Sequence, residues 1–185
     1  MSKKIMILNG SPRENGNTAA LVEAFQEGAE SGGHSVSRFD LQKMDIHYCL
    51  GCYGGGQDAA SPCVQKDDMD KIYPIYREAD IVVLATPMYY WSFSAQLKAA
   101  LDRLFAVVEN SNDYKSPYKE CMLLMPAGDE SEENFTPVIN YYESLLGFLG
   151  WKDLGRVLAG GLLYVGDIEG KACLAQAKAL GASIV

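Results

Sequence analysis

The chain has neither of the glycine-rich loops that most often hold nucleotides. No G-x-x-x-x-G-K-[ST] run occurs, which sets aside a P-loop NTPase. G-x-G-x-x-G is missing too: Gly10 is followed by Ser-Pro-Arg, and a proline and an arginine fill the space a pyrophosphate needs. Basic side chains are scarce, 16 Lys and Arg against 24 Asp and Glu, for a net charge of -8. That balance argues against nucleic acid as a partner, because a phosphate backbone requires basic patches. No apolar run approaches bilayer length, and the short apolar stretch after Met-Ser-Lys-Lys falls below a secretory h-region, so a soluble cytoplasmic protein with no membrane partner is expected. Cysteine is too sparse for a secreted disulfide framework. There are 5, an odd set, and the cluster Cys49, Cys52 and Cys63 looks like thiols in a reducing compartment.

What is present suits one globular domain over residues 1–185, with 48% hydrophobic and 22% charged residues. The run Lys4 to Leu8 reads as a buried strand, and Asn9 to Thr18 as a turn and helix opening. That turn collects groups able to hold an anion: hydroxyls at Ser11 and Thr18, amides at Asn15 and Asn17, the Arg13 guanidinium, and Gly16, which lets the backbone bend close. A helix N-terminus adds unpaired N–H donors and about half a positive charge, so a phosphate fits the place as well as the side chains. A hydrated turn capped by Ser and Asn is the plainer reading. Without the pyrophosphate glycines, a monophosphate is favoured, and Asp40 reads as a strand-end capping or turn residue.

Further along, Thr18 to Ser31 reads as a surface helix ended by Gly32-Gly33, and His34 to Leu41 as a weakly apolar edge strand. Met44 to Lys66 is one long loop. Asp67-Asp68-Met69-Asp70 opens a helix with Pro74 in its first turns, and Asp80 to Thr86 is continuously apolar, as a strand covered on both faces must be. Ser92 or Ser94 caps the next helix, whose Leu97, Leu101, Leu104, Phe105 and Val108 share a face while Lys98, Asp102 and Arg103 point out. Cys121 to Ala127 is a strand. Val138 to Leu149 is a helix stopped by Gly150. Arg156 to Val165 is a strand with Gly160-Gly161 as a bulge or close approach, and Lys171 to Leu180 a helix capped by Gly181. Strands alternating with helices in this way give an α/β doubly wound parallel sheet, whose ligands bind beyond the strand C-termini. The unusual turns follow Leu8, Thr86 and Met125.

Of these, Thr86 to Ser94 places Met88, Tyr89, Tyr90 and Trp91 in a surface loop. Exposed aromatics at a strand end suit a flat ligand, or else a dimer contact or hydrophobic staple. With a phosphate turn one strand away, a phosphorylated planar ring answers both features, and flavin mononucleotide (FMN) is such a molecule.

Leu8-Asn9-Gly10-Ser11-Pro12-Arg13 with Gly16-Asn17-Thr18, Cys49-Leu50-Gly51-Cys52, Asp67-Asp68-Met69, Thr86-Pro87-Met88-Tyr89 and Ser94-Ala95-Gln96-Leu97-Lys98 with Asp102-Arg103 follow one another in order. Together they resemble the flavodoxin-like NAD(P)H-dependent FMN reductases, close to the iron-sulfur flavoprotein branch. The resemblance spans nearly the whole chain. It implies a five-stranded flavodoxin-like sheet of order 2-1-3-4-5. It also implies an FMN phosphate on Ser11, Arg13, Asn15, Gly16, Asn17 and Thr18, with the ring against Pro87, Met88, Tyr89, Tyr90, Trp91 and Ser92, and Ala127, Gly128 and Asp129 on its other edge. Hydride chemistry then belongs to the flavin, with no catalytic acid or base in the protein. The resemblance implies NAD(P)H as substrate, a small electron acceptor such as a quinone, nitro compound or flavin, and a homodimer or higher homo-oligomer. The rival is an FMN-binding electron carrier serving a protein partner without nicotinamide turnover.

In the iron-sulfur branch a four-cysteine motif holds a [4Fe–4S] cluster. Here Gly55 stands at the third ligand position after Cys49 and Cys52, and Cys63 follows late, so a cluster is not expected and no metal site is assigned. Cys49, Cys52 and Cys63 remain the candidates for a redox thiol pair or zinc, against plain loop cysteines. His47 reads as structural, and Cys121 and Cys173 as small core residues.

Overall fold

The computed structural model describes residues 2–56 and 58–185. Strands β1 (Lys4–Asn9), β2 (Ser35–Asp40), β3 (Ile81–Ala85), β4 (Glu120–Pro126) and β5 (Lys152–Ala159) pair in parallel in the order β2-β1-β3-β4-β5. The composition of each strand explains its place. β3 is apolar throughout and wholly buried, whereas β2, Ser-Val-Ser-Arg-Phe-Asp, is half-covered and lies at an edge.

Alternate residues of the central strands serve two separate cores. Ile5, Ile7, Val83 and Leu124 face α1 (Asn17–Ser31) and α6 (Ala172–Ala182). Met6, Leu8, Val82 and Leu123 face the other side. There they meet α2 (Met69–Glu78), α3 (Ala95–Arg103), α4 (Phe105–Glu109) and α5 (Thr136–Leu149). This is the flavodoxin-like single-domain α/β arrangement that the motif order implied. Among the described residues no helix is long and apolar enough to cross a membrane.

The last third of the chain departs from the sequence-based expectation. β5 begins at Lys152 and ends at Ala159, so the apolar residues Leu162 to Val165 are a loop and not a strand end. Glycine chemistry decides this. A Cβ on Gly160 would lie 2.6 Å from the Asp129 carbonyl oxygen, and Gly161 takes φ +70°, a left-handed conformation that leaves the ladder. The sheet irregularity sits instead between Cys121 and Met122, opposite Gly155 at φ +138°. The long helix after β3 breaks at Leu104 into α3 and α4, and Pro74 lies inside α2 past its first turn.

Gly181 lies within α6, whose C-cap is Ser183. It is there because α1 and α6 pack with their backbones close. A Cβ on Gly181 would stand 2.2 Å from the Phe25 carbonyl oxygen, and one on Gly28 would stand 2.0 Å from that of Lys178. Gly181→Ala therefore forces the helices apart and lowers the unfolding free energy by about 1–3 kcal/mol in urea titration. An unchanged midpoint would show that the contact is slack.

Candidate functional site

Because β1 lies between β2 and β3, the turns leaving β1 and β3 emerge side by side. Several buried hydrogen bonds join them. Gly10 N–H donates to the Ala85 carbonyl at 2.8 Å, and the Ser94 hydroxyl donates to the Gly10 carbonyl at 2.7 Å. The same Ser94 oxygen accepts from Leu97 N–H at 3.3 Å as the N-cap of α3, while Ser94 N–H donates to the Thr86 hydroxyl at 2.9 Å. Ser94, not Ser92, is thus the cap. On the opposite side, Asn9 donates to Asp40 Oδ1 at 2.8 Å, and Arg38 Nε donates to the same oxygen at 2.8 Å. Burial would raise the Asp40 carboxyl, but these hydrogen bonds outweigh it and hold it below the usual carboxylate range.

A cradle of about 200 Å³ opens where the turns meet. Ser11, Arg13, Gly16, Asn17 and Thr18 form one wall, Pro87, Met88 and Tyr89 a second, and Ala127 and Gly128, with Pro126, a third. Leu162 and Leu163 form the fourth. The α1 N-terminus faces it with no side-chain cap, since its N-cap residue is Gly16, so the first helical N–H groups keep their donors free of side-chain partners. Ser11 is turned inward: its hydroxyl donates to the Arg13 carbonyl at 3.0 Å and accepts from Arg13 N–H at 3.1 Å. Asn17 donates through Nδ2 to the carbonyls of Leu162 at 3.2 Å and Tyr164 at 2.9 Å, and its buried Oδ1 has no partner among the described residues. Arg13 Nη1 donates to the Leu163 carbonyl at 3.0 Å.

Asn15, Tyr90, Trp91, Ser92 and Asp129 do not line the cradle. Asp129 is engaged with Ser131 N–H at 2.8 Å, a bond that, with the Asn134 side chain, lowers its carboxyl from the ordinary value. Pro126, Leu162 and Leu163 went unforeseen. The only sequence signal for the last two was the Gly160-Gly161 pair that ends β5.

The aromatic turn is strained. Tyr89 and Ser92 exchange two backbone hydrogen bonds of 3.0 Å each, and the residues between them, Tyr90 and Trp91, take φ +48° and +57°. This is the φ pattern of a type I′ turn, which prefers Asn-Gly. Here it holds an aromatic pair, with Tyr90 94% exposed, so the side chains have little burial to compensate the backbone cost.

The cysteine loop is held from beneath by an ion pair. Arg103, expected to face solvent, is 1% exposed, and its Nη1 donates to Asp67 Oδ2 at 2.6 Å while Nη2 donates to Oδ1 at 3.1 Å. Arg103 also donates to the carbonyls of His47 at 2.9 Å and Gln65 at 3.3 Å, clamping both ends of the loop. Burial would raise the Asp67 carboxyl, but the bonds from Arg103, His47 N–H and Met69 N–H outweigh it and hold it low. Cys49 and Cys52 are exposed and Cys63 partly so. All three line an apolar groove of about 1000 Å³ running along α4 and the end of α5, separate from the cradle. A four-thiolate cluster does not fit this donor set: a Cβ at Gly55 would lie 2.6 Å from Glu109 Oε2 and 2.8 Å from the Pro62 carbonyl, so no cysteine side chain has room there. Among the described residues no group of three or more His, Cys, Asp or Glu is arranged to hold a metal.

The profile of the NADPH-dependent FMN reductase family matches residues 3–130. The chain belongs to that family. This FMN reductase-like chain is accordingly an NAD(P)H-dependent oxidoreductase by class. It is 31% identical over 177 residues to an iron-sulfur flavoprotein of Archaeoglobus fulgidus, an alignment covering 95% of this chain and 76% of that one. It is 36% identical over 100 residues to an iron-sulfur flavoprotein of Methanosarcina thermophila, covering 54% of this chain and 51% of the other, so it spans only about half of that relative. Its fold is that of the NAD(P)H:quinone oxidoreductase from Methanothermobacter marburgensis, with a TM-score of 0.75 at 22% identity over 98% of this chain and 96% of that one.

Three measurements check this geometry. Tyr90→Asn relieves left-handed strain without removing buried area and raises the unfolding free energy by about 1 kcal/mol; no gain would show that the turn is relaxed. The lowered Asp67 carboxyl contributes stability above the ordinary carboxylate range near pH 4, lost as pH falls through its lower folded value. Urea unfolding of the wild type therefore weakens steeply below about pH 4, whereas Asp67→Asn shows a flatter acid limb. Arg103→Met leaves Asp67 buried and unpaired and costs about 3–5 kcal/mol near neutrality; a loss under about 1 kcal/mol would mean solvent reaches the pair.

Proposed function

We propose that this family member binds FMN with its phosphate on the first turn and uses it to pass electrons from NADH or NADPH to a small acceptor such as a quinone, nitro compound or flavin. The observation that carries the reading is the uncapped α1 N-terminus beside a buried, unpartnered Asn17 Oδ1 in the wall of the cradle. Free backbone donors suit a phosphate, and an unsatisfied acceptor suits a hydroxyl-bearing chain attached to it. At about 200 Å³ the cradle falls below the roughly 300–1,000 Å³ of pockets that enclose a whole ligand, so it takes the phosphate-bearing chain and leaves a ring on the open surface.

Ser11, Arg13 and Thr18, with the backbone N–H groups that open α1 at Asn17, would hold the phosphate. Pro87, Met88, Tyr89, Tyr90 and Trp91 would support the ring from one turn and Ala127, Gly128 and Asp129 from another. When bound, FMN supplies the hydride and electron transfer; the protein binds, orients and shields. A homodimer belongs to the proposal, supported by the apolar groove rimmed by exposed Tyr53, Tyr118 and Phe148. So does a reducing, cytoplasmic setting, supported by five free cysteines.

Purified protein is loaded with FMN and mixed anaerobically with NADH and then NADPH. Prompt loss of the yellow colour with either nucleotide is the expected result. Colour that survives both but yields to dithionite would favour an electron carrier, toward which the net charge of -8 leans. Failure to bind FMN would overturn both readings. Arg13→Ala is expected to weaken FMN binding by about 1.5–3 kcal/mol, the range for hydrogen bonds to charged groups, with an unchanged dissociation constant showing that Arg13 points elsewhere.

A further inference from the structure

The cradle is bounded by a closed circuit of chain segments, and its joins differ in kind. The first turn meets the second through Gly10 N–H to the Ala85 carbonyl, and the second meets the third through Met88 N–H to the Pro126 carbonyl at 3.0 Å. The third turn meets the segment after β5 through Leu162 N–H to the Ala127 carbonyl at 2.8 Å and Gly161 N–H to the Asp129 carbonyl at 3.0 Å. These joins are backbone to backbone, anchored at strand ends. The remaining join, from that segment back to the first turn, is made among the described residues by side chains alone: Asn17 Nδ2 to the Leu162 and Tyr164 carbonyls and Arg13 Nη1 to the Leu163 carbonyl.

That segment, like the Pro87 to Tyr89 wall, has no helix or strand. Gly161 at φ +70° and Gly166 at φ +94° bracket it, backbone states that glycine adopts without strain. Between them Leu163, Tyr164 and Val165 are all more than half exposed, three consecutive apolar side chains on the solvent side of a binding cradle. The Leu163 side chain reaches over the third turn, where a Cβ on Gly128 would come within 3.0 Å of its Cδ1. A short strap with a glycine at each end and a side-chain latch on one side is the part of the circuit that opens at least cost.

We infer that residues 161–166 form a strap that gates cofactor exchange, latched to the first turn by Arg13 and Asn17. This rests on the FMN reading above, and extends the site beyond residues 3–130, the part matched by the family profile. Opening breaks the three latch hydrogen bonds together with the bond from Leu162 N–H to the Ala127 carbonyl and frees the Leu162–Leu163 wall, whereas the sheet-anchored walls stay in place. Arg13 therefore has two tasks, contacting the phosphate and holding the strap, while Asn17 holds the strap through Nδ2 and presents Oδ1 to the cradle. No bond to the cofactor is made or broken.

The strap is tested at its own residues and at its outer support, leaving the phosphate turn intact. The Asp167 carboxylate accepts from Tyr164 N–H at 2.7 Å, and neither it nor the Leu163 side chain is part of the sheet. In Asp167→Ala and in Leu163→Gly, the FMN dissociation rate, followed by the fluorescence of released FMN on dilution, is expected to rise by about fivefold or more. The association rate is expected to rise with it, while the thermal midpoint of the apoprotein stays unchanged. Wild-type protein that binds FMN, with dissociation rates in both variants within about twofold of it, overturns the strap and leaves the FMN reading standing. Wild-type protein that binds no FMN overturns the FMN reading itself and the strap with it.

Discussion

The hydrogen bond from the Ser94 hydroxyl to the Gly10 carbonyl is the contact on which the site depends. It is buried, and it ties the turn after β1 to the helix that follows β3. No other residue at position 10 allows it, because a Cβ there would stand 2.6 Å from Ser94 Oγ and 2.7 Å from Leu97 Cβ. Since that oxygen also caps α3 and Ser94 N–H binds the Thr86 hydroxyl, one serine sets the register of two turns and one helix. The α1 N-terminus is thereby aimed at the mouth of the aromatic turn, the juxtaposition an FMN site needs.

Around this hub the polar groups are arranged at two levels. Near the sheet the carboxyls are paired, Asp40 with Asn9 and Asp67 with Arg103, each held low by its donors against the pull of burial, with Arg103 Nε left without a partner among the described residues. At the rim they are left open: the uncapped helix start, the Asn17 oxygen, the strained Tyr90-Trp91 pair. Rigid ties below and unmet or strained groups above are what a preformed binding site requires. The cysteine loop belongs to the first level on its inner side, where Arg103 clamps it. Its thiols face a different groove, where Gly55 is packed against Glu109 and the Pro62 carbonyl.

The centre of the fold was legible in the sequence for a physical reason. A strand covered on both faces must be apolar throughout, so β1 and β3 announce themselves, and the polar edge strand β2 does so by contrast. The first turn was legible as an anion site in the hydroxyls, amides and guanidinium between Ser11 and Thr18, whereas the missing side-chain cap on α1 was not. What could not be read depends on tertiary pairing. Arg103 looks like a surface residue until Asp67, far away in the chain, supplies its counter-charge. Leu162 and Leu163 look like more of β5, because an apolar run does not reveal where a left-handed glycine takes it off the ladder. The exposure of Tyr90 likewise follows from φ angles that no side-chain pattern encodes.

The central claim is that a phosphate, held by the first turn, anchors the ligand. Equilibrium binding of FMN against riboflavin, which lacks only the phosphate, tests it most directly. Two charge-assisted contacts or more predict that FMN binds at least about 100-fold tighter, with the difference shrinking as inorganic phosphate is added. Equal affinity for the two would contradict the account.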